Sequence, residues 1–281
     1  MTAVVVGVTM VRNEDDIIEA TLTHMLRQVD AVVVIDNGST DRTAEILNEI
    51  GWSAAMGGRL FVTRDTSRAY LQSERMTRAA NFARVQYGAD WIMPFDADEF
   101  WLAPDWRDGQ TVADRLRECD WLDKLSAGMA VVKAPILNHY CTALDPASGS
   151  PFNPACMPWR TRTPLPLHKV AYRWAEGAVI EMGNHGVSLP GVEVSPYDAG
   201  ITIRHYPYRS AAQMTRKAVQ GAEAYRAAGD AVPADAGAHW RAWGELIERR
   251  GESVMGDIFR EHYWFLSPTD AGMIHDPLEV L

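Results

Sequence analysis

Along the first hundred positions, apolar residues gather in short continuous runs, and each run is followed by a stretch with helical spacing. "AVVVGVTMV" (3–11) is rich in β-branched residues and reads as a buried strand. In "NEDDIIEATLTHMLRQV", Ile17, Thr21, Leu22 and Met25 recur at helical spacing, and Glu14, Asp15 and Asp16 suit a helix N-terminus. "AVVVID" (31–36) is a second strand, and "NGSTD" is a turn in which Ser39 or Thr40 is placed to cap the helix "RTAEILNEI". "RLFVTR" (59–64) is a third strand. "QSERMTRAANFARVQY" reads as a helix with Met76, Ala79, Ala80 and Ala83 on one face, and "ADWIMPFDAD" as a fourth strand that ends in acids.

Strand–helix alternation to about residue 101 predicts an α/β fold with a doubly wound, mostly parallel sheet. Right-handed crossovers put the strand C-termini on one edge, where such sheets bind ligands. Arg12, Asn13, Asp36 and Asp96 to Glu99 all follow predicted strands, so the topology gathers them on one rim. Residues 138–168 are dense in Pro, Gly and Ser and read as a long loop, either a lid or an acceptor-side loop. Short strands are expected at "KVAYRW", "GAVIEMG" and "ITIRHYPY". Beyond them, residues 210–229 place Met214, Ala218, Gly221, Ala222 and Tyr225 on one helical stripe, and "AHWRAWGELIERR" and "SVMGDIFREHYWF" read as two more helices. No internal repeat is seen. The expected organisation is a catalytic domain over 1–205, with a nucleotide-binding part (1–101) and an acceptor-side part (102–205), and a helical C-terminal extension over 206–281 packed on it.

Composition narrows the partners. The 281 residues are 47% hydrophobic and 23% charged, with a net charge of −10, which argues against nucleic acid and anionic membrane surfaces. The three cysteines have no zinc-like spacing and read as free thiols of a reducing compartment. No apolar run of membrane-spanning length occurs, and the expected location is cytoplasmic.

The acids of "WIMPFDADEFW" (91–101) need a reason, because carboxylates are costly to bury alone. A divalent cation supplies one: Mg²⁺ or Mn²⁺ takes one or two carboxylates plus phosphate oxygens. In an extended D-x-D the two side chains point to opposite faces, so the chain must bend for both to serve one site. Asp98 is then the metal ligand, and Asp96 reaches a ribose or a metal-bound water. Asp36 can accept a hydrogen bond from the N3–H of a uracil ring. The bland alternative is a set of solvated turn acids, and it weakens when three rim features coincide.

The pieces "VRNEDDIIEATLTHML", "VVVIDNGSTDRTAEIL" and "AANFARVQYGADWIMPFDADEFW" stand in the order seen in GT-A-type glycosyltransferases, and the chain resembles family-2-like members over about residues 4–101. "HKV" (168–170), "GNHGV" (183–187) and "IRHYPYRSAAQMTRKAVQG" (203–221) are similar more loosely. The resemblance implies a GT-A (Rossmann-like) fold and a metal-dependent, inverting transfer of a sugar from a UDP-sugar, such as UDP-GlcNAc or UDP-glucose, to a hydroxyl acceptor. It implies that Val11, Arg12, Asn13, Glu14 and Asp36 hold the nucleotide, and that Asp96, Ala97 and Asp98 hold metal and diphosphate. Two departures stand out. Asn37 replaces a second Asp, and "Ala79-Ala80-Asn81" lacks an arginine that Arg75 or Arg78 would have to supply.

The resemblance also implies that a histidine from the second half completes the metal shell, with His185 and His205 as the candidates. Lys169, Arg204, Arg209 and Lys217 are candidate partners of a departing diphosphate. Inversion needs a base on the acceptor hydroxyl. Glu176, Glu181, Asp198 and Glu99 are available, with Glu181 favoured. Trp101 is a candidate sugar platform, whereas Trp91 suits the core. Two alternatives remain: a catalytically silent nucleotide-sugar-binding protein, and a Mg-dependent phosphatase, which the position and sequel of the D-x-D disfavour.

Overall fold

The computed structural model describes residues 2–53, 58–67, 71–126, 130–145, 152–229, 232 and 237–279. Part of the long loop, 146–151, lies outside them. The first half follows the predicted order: β1 (Val5–Val11), α1 (Ile18–Gln28), β2 (Ala31–Asp36), α2 (Thr43–Trp52), β3 (Leu60–Arg64), α3 (Gln72–Tyr87) and β4 (Trp91–Pro94). β1 and β2 are buried nearly throughout, which is why they read as unbroken apolar runs rather than alternating ones. Gly88 closes α3 in the left-handed conformation (φ +68°), where a residue with a Cβ would be strained.

After β4 come β5 (Glu99–Leu102), α4 (Val112–Ser126), β6 (Val131–Asn138), β9 (His168–Arg173) and β13 (Thr202–His205). Two-residue strands fill the intervals and the C-terminal tail: β7 (Cys141–Thr142), β8 (Trp159–Arg160), β10 (Val179–Ile180), β11 (Val187–Ser188), β12 (Tyr197–Asp198), β14 (Trp264–Phe265) and β15 (Ile274–His275). The helices α5 (Ala211–Ala228), α6 (Ala238–Arg250) and α7 (Ser253–His262) pack on one another. Ser210 caps α5 by accepting the Gln213 N–H.

The central sheet runs β3-β2-β1-β4-β9-β6-β13-β5, with β12 alongside β6. Its first four strands are parallel, as are β6 and β13, whereas β9 and β5 run antiparallel to their neighbours. The mostly parallel α/β sheet predicted from the alternation is therefore present. The antiparallel strands have a positional consequence. The start of β9, at His168 and Lys169, and the start of β5, at Glu99, arrive at the rim where β1, β4 and β13 end. Glu99 stands opposite His205 in the register.

Two local expectations are corrected. Neither Ser39 nor Thr40 caps α2. The Asp41 carboxylate accepts the Thr43 N–H instead, while Ser39 Oγ accepts the Asn13 N–H and the Thr40 N–H donates to Asn13 Oδ1. The two turns after β1 and β2 are thus tied together. Trp101 is fully buried in the core, because β5 is a sheet strand, so it offers no face to a sugar.

Candidate active site

A cavity of about 560 Å³ opens along this rim. Arg12, Asn13, Glu14 and Asn37 form one wall, and the turn Asp96–Glu99 the floor. Lys169, Gly183 and His185, Lys217 of α5, and Tyr225 and Trp240 belong to the same lining. Asp96 and Asp98 both line it because the chain bends between β4 and β5. The Glu99 N–H donates to the Asp96 carbonyl at 3.1 Å, and Glu99 Oε2 accepts the Asp96 N–H at 3.0 Å. The bend that D-x-D chemistry requires is therefore built from Glu99 itself.

Each acid meets a cation from the second half of the chain. Lys169 Nζ donates to Asp96 Oδ2 at 2.5 Å and to the Gly183 carbonyl at 2.7 Å, and stands 3.1 Å from Glu99 Oε1. Asp96 Oδ1 accepts from Asn184 Nδ2 at 2.9 Å. Lys217 Nζ donates to Asp98 Oδ2, and His205 Nε2 lies 3.5 Å from Asp98 Oδ1. Arg209 donates to Glu14 at 2.7 Å and forks onto both oxygens of Asp16 at 2.7 and 2.9 Å. This pairing makes burial of so many charges tolerable.

The protonation preferences follow. Burial pushes Asp98 up, but the Lys217 ammonium and His205 outweigh it and hold the carboxyl well below its ordinary value. For Glu14 and Glu99 burial wins over Lys217 and Lys169 respectively, and both carboxyls are raised. Burial opposes the charge of Lys169 and of Lys217, yet their carboxylate neighbours hold both above the usual lysine value.

Among the described residues, the non-glycine positions with positive φ are Asn13 (+55°) and Asn184 (+59°). Asparagine tolerates this region better than most residues, and such backbone concentrates at functional sites. Both positions adjoin the cavity. Asn13 holds the Ser39–Thr40 turn, and Asn184 holds Asp96.

Of the predicted residues, Val11, Arg12, Asn13, Glu14, Asp96, Ala97, Asp98, Glu99, Lys169, His185, His205 and Lys217 are brought together on this cavity. Others are not. Asp36 is buried just outside the lining, where Oδ1 accepts the Ser39 N–H at 2.9 Å and Arg64 approaches Oδ2 at 3.8 Å. Arg75 and Arg78 both bind the Asp65 carboxylate beyond β3, so neither replaces the missing arginine at the cavity. Arg204 turns away to Asp276, which Arg160 and Arg107 also hold. Glu181, the favoured base, is exposed and faces the β10–β11 hairpin, where Oε1 accepts from Ser188 Oγ at 3.3 Å. Glu176 and Asp198 are exposed as well and stand off the cavity. Glu99 lines the cavity but is committed to Lys169 and the Asp96 N–H, so it holds the floor rather than facing an acceptor.

Sequence reasoning missed Gln72, Asn184, Tyr208, Tyr225, His239 and Trp240. All but Asn184 line the cavity. Gln72 accepts the Gly183 N–H at 2.8 Å and so ties α3 to the turn that holds Asp96. The "GNHG" punctuation, with glycines on both sides of polar residues, was the available signal for Asn184. The aromatic residues of α5 and α6 read as a core stripe and carried none.

Among the described residues no helix is long and apolar enough to cross a membrane. No curated protein matches the chain. Residues 8–118 match the family model described as Glycosyl transferase family 2. That span contains the turns after β1 and β2 and the D-x-D floor, and the match supports glycosyl transfer from a nucleotide-sugar donor to an acceptor. Across this segment the chain is similar to glycosyltransferase family 2, and the match supports a GT-A-type, family-2-like glycosyltransferase.

Proposed function

We propose that the protein is a metal-dependent, inverting glycosyltransferase that moves a sugar from a UDP-sugar to a hydroxyl acceptor, with UDP-GlcNAc and UDP-glucose as the first donors to try. The observation that carries this reading is the bent D-x-D, which sets Asp96 and Asp98 on one cavity opposite Lys169 and Lys217. A diphosphate needs that arrangement of cations.

The donor set suits a divalent cation. His205 Nδ1 bonds to Asn138 Oδ1 at 2.8 Å, and Asn138 Nδ2 donates to Tyr140 Oη, so Oδ1 is the acceptor and the proton sits on Nδ1. Nε2 then faces Asp98 Oδ1 across 3.5 Å, an arrangement that takes either a proton or a cation between the two atoms. Among the described residues no group of three or more His, Cys, Asp or Glu is arranged for a metal. A carboxylate and an imidazole completed by diphosphate oxygens suit Mn²⁺, and a carboxylate with more waters suits Mg²⁺. Asp98 and His205 would hold the ion, which when bound supplies charge neutralisation to the leaving diphosphate.

Lys169 and Lys217, turning from the aspartates, donate to phosphate oxygens. Arg12 Nε is buried with no hydrogen-bond partner among the described residues, which supports the same use. Asn37 Oδ1 is also buried, on the cavity lining, with no hydrogen-bond partner among the described residues, which suits it, rather than Asp36, to accept the uracil N3–H. Asp36 instead fixes the turn that presents Asn37.

Both aspartates are already neutralised by lysines, and this favours a second reading, a catalytically silent nucleotide-sugar-binding protein. A thermal-shift screen of nucleotide sugars with and without Mn²⁺ tests binding, and UDP release tests turnover. The transferase reading expects a Mn²⁺-dependent shift with UDP-sugars and slow UDP release. Binding without release across an acceptor panel selects the silent form, and no shift with any nucleotide sugar removes both.

A further inference from the structure

An inverting transfer needs a proton acceptor beside the incoming hydroxyl, and every carboxylate on the cavity is committed. Glu14 is held by Arg209, Asp96 and Glu99 by Lys169, and Asp98 by Lys217. Three histidines line the cavity: His185, His205 and His239. His205 faces Asp98. His239 meets Trp240 at a tilt and Trp243 edge-on within α6, with no hydrogen bond among the described residues to fix its ring.

His185 differs from both. Its Nδ1 lies 2.8 Å from the carbonyl oxygen of His168. A carbonyl only accepts, so Nδ1 carries the proton and Nε2 of the neutral ring is bare. Nε2 has no hydrogen-bond partner among the described residues, and the residue lines the cavity. Burial, with Lys169 as the second cause, lowers the ring's affinity for a proton, partly offset by the His168 carbonyl and by Asp96; His168 adds a further lowering. The neutral form is therefore the resting one at pH 7.

The position of the turn adds a second argument. Met182 packs with Tyr225 and Trp240 at the aromatic end of the cavity. One and two residues on, Gly183 accepts from Lys169 and Asn184 donates to Asp96 at the D-x-D end. His185 follows in the same turn and lines the same cavity, which also holds the acids of the D-x-D turn and the aromatic residues Tyr225 and Trp240. A Cβ on Gly183 would lie 2.6 Å from His185 Cδ2 and 2.9 Å from Nε2, so the glycine leaves room for the edge of the ring that carries the lone pair.

Resting on the transferase reading above, we infer that His185 is the base that activates the acceptor. Nε2 takes the proton of the acceptor hydroxyl as its oxygen bonds to the anomeric carbon. The bond from that carbon to the β-phosphate oxygen breaks, and its electron pair leaves with the nucleoside diphosphate. The His168 carbonyl holds the tautomer and steadies the imidazolium that forms. Glu181, three residues before Asn184 in the same turn, plays no part in the proton transfer.

Water can stand in for the unidentified acceptor, so the test uses hydrolysis of UDP-glucose and UDP-GlcNAc with Mn²⁺, read as UDP release, beside UDP affinity by calorimetry. His185→Asn keeps a donor for the His168 carbonyl and removes Nε2. Its rate is expected to fall about 100-fold or more, with UDP affinity unchanged and with partial recovery on adding free imidazole. Long-range ¹⁵N–¹H correlation spectra of the wild-type protein, assigned through that variant, should show the Nδ1–H tautomer at pH 7 whether or not a donor is present. An Nε2–H tautomer overturns the assignment. So does an undiminished rate in His185→Asn, loss of UDP affinity in step with the rate, or a loss confined to His239→Asn. A wild-type protein that releases no UDP from either sugar overturns the transferase reading itself, which the unchanged tautomer would then separate from the histidine's geometry.

Discussion

The two halves of the chain bring opposite charges to one cavity. Residues 1–101 supply Glu14, Asp96, Asp98 and Glu99, whereas residues 102–281 supply Lys169, His205 and Lys217 to the lining and Arg209 to Glu14 from behind it. Arg12 is the exception. Neither half carries a balanced set, so the buried ions of one are uncompensated without the other. The cavity is therefore also a seam that holds the helical region against the parallel strands, and the side chains proposed for binding are the ones that join the two halves.

The largest effect should come from Arg209, whose side chain is 2% exposed and serves two acids. Arg209→Met strands Glu14 and Asp16 and should cost about 3–5 kcal/mol in urea denaturation. Adding Glu14→Gln and Asp16→Asn should recover most of that. A loss below about 1 kcal/mol in the single variant would mean the seam is not held by charge. Lys169→Met comes next, at about 2–3 kcal/mol, because Asp96 keeps Asn184 as a partner. Its deficit should shrink as pH falls from 7 toward 5. The Glu99 carboxyl is raised by burial, and a raised carboxyl takes up its proton in the folded state first.

A smaller effect per residue divides the halves differently. His24 in α1 and His139 after β6 are both buried against carbonyls, Trp101 and Met157 respectively. Burial lowers them to about 4 and about 3. Depressed values mean that the unfolded chain binds these protons first. Their contribution is complete above the unfolded value of 6.5 and is lost as pH falls toward the folded values. Denaturant midpoints between pH 6 and 4 should therefore fall steeply. His24→Phe and His139→Phe should each flatten the slope by about 1.4 kcal/mol per pH unit, and equal slopes in wild type and both variants would contradict the assignment. The smallest effect should belong to Glu181→Gln, within about 0.5 kcal/mol in stability and with UDP release unchanged. A large loss of release there would return the base role to Glu181.

The same comparison explains what the sequence made legible. Strands β1, β2 and β4 are central and parallel, so their apolar runs announce them, and the polar residues that follow lie on the rim by topology. Asp96, Asp98 and Asn13 were found that way. The mixed half gives no such rule. β6 carries Lys133 and Pro135 within its run, and β5 begins at Glu99 immediately after the acids, so neither strand was foreseen. Lys169 and His205 reach the site because β9 runs antiparallel and β13 parallel to β6, a fact of pairing rather than of local pattern. Glu181 and Trp101 failed for one reason. Closeness in sequence to a motif does not say which way a side chain faces, and here Glu181 turns out to the hairpin and Trp101 turns into the core.

In the proposed reading Asp98, shared between Lys217 and His205, is the point where donor and cation meet the protein. Calorimetric titration of UDP with and without Mn²⁺, on wild type and on Asp98→Asn, tests it most directly. Mn²⁺ is expected to tighten UDP binding to the wild type by about tenfold or more, equivalent to about 1.4 kcal/mol, and the gain to disappear in Asp98→Asn with the melting temperature still that of a folded protein. Equal UDP affinity in the two proteins with Mn²⁺ present would contradict it.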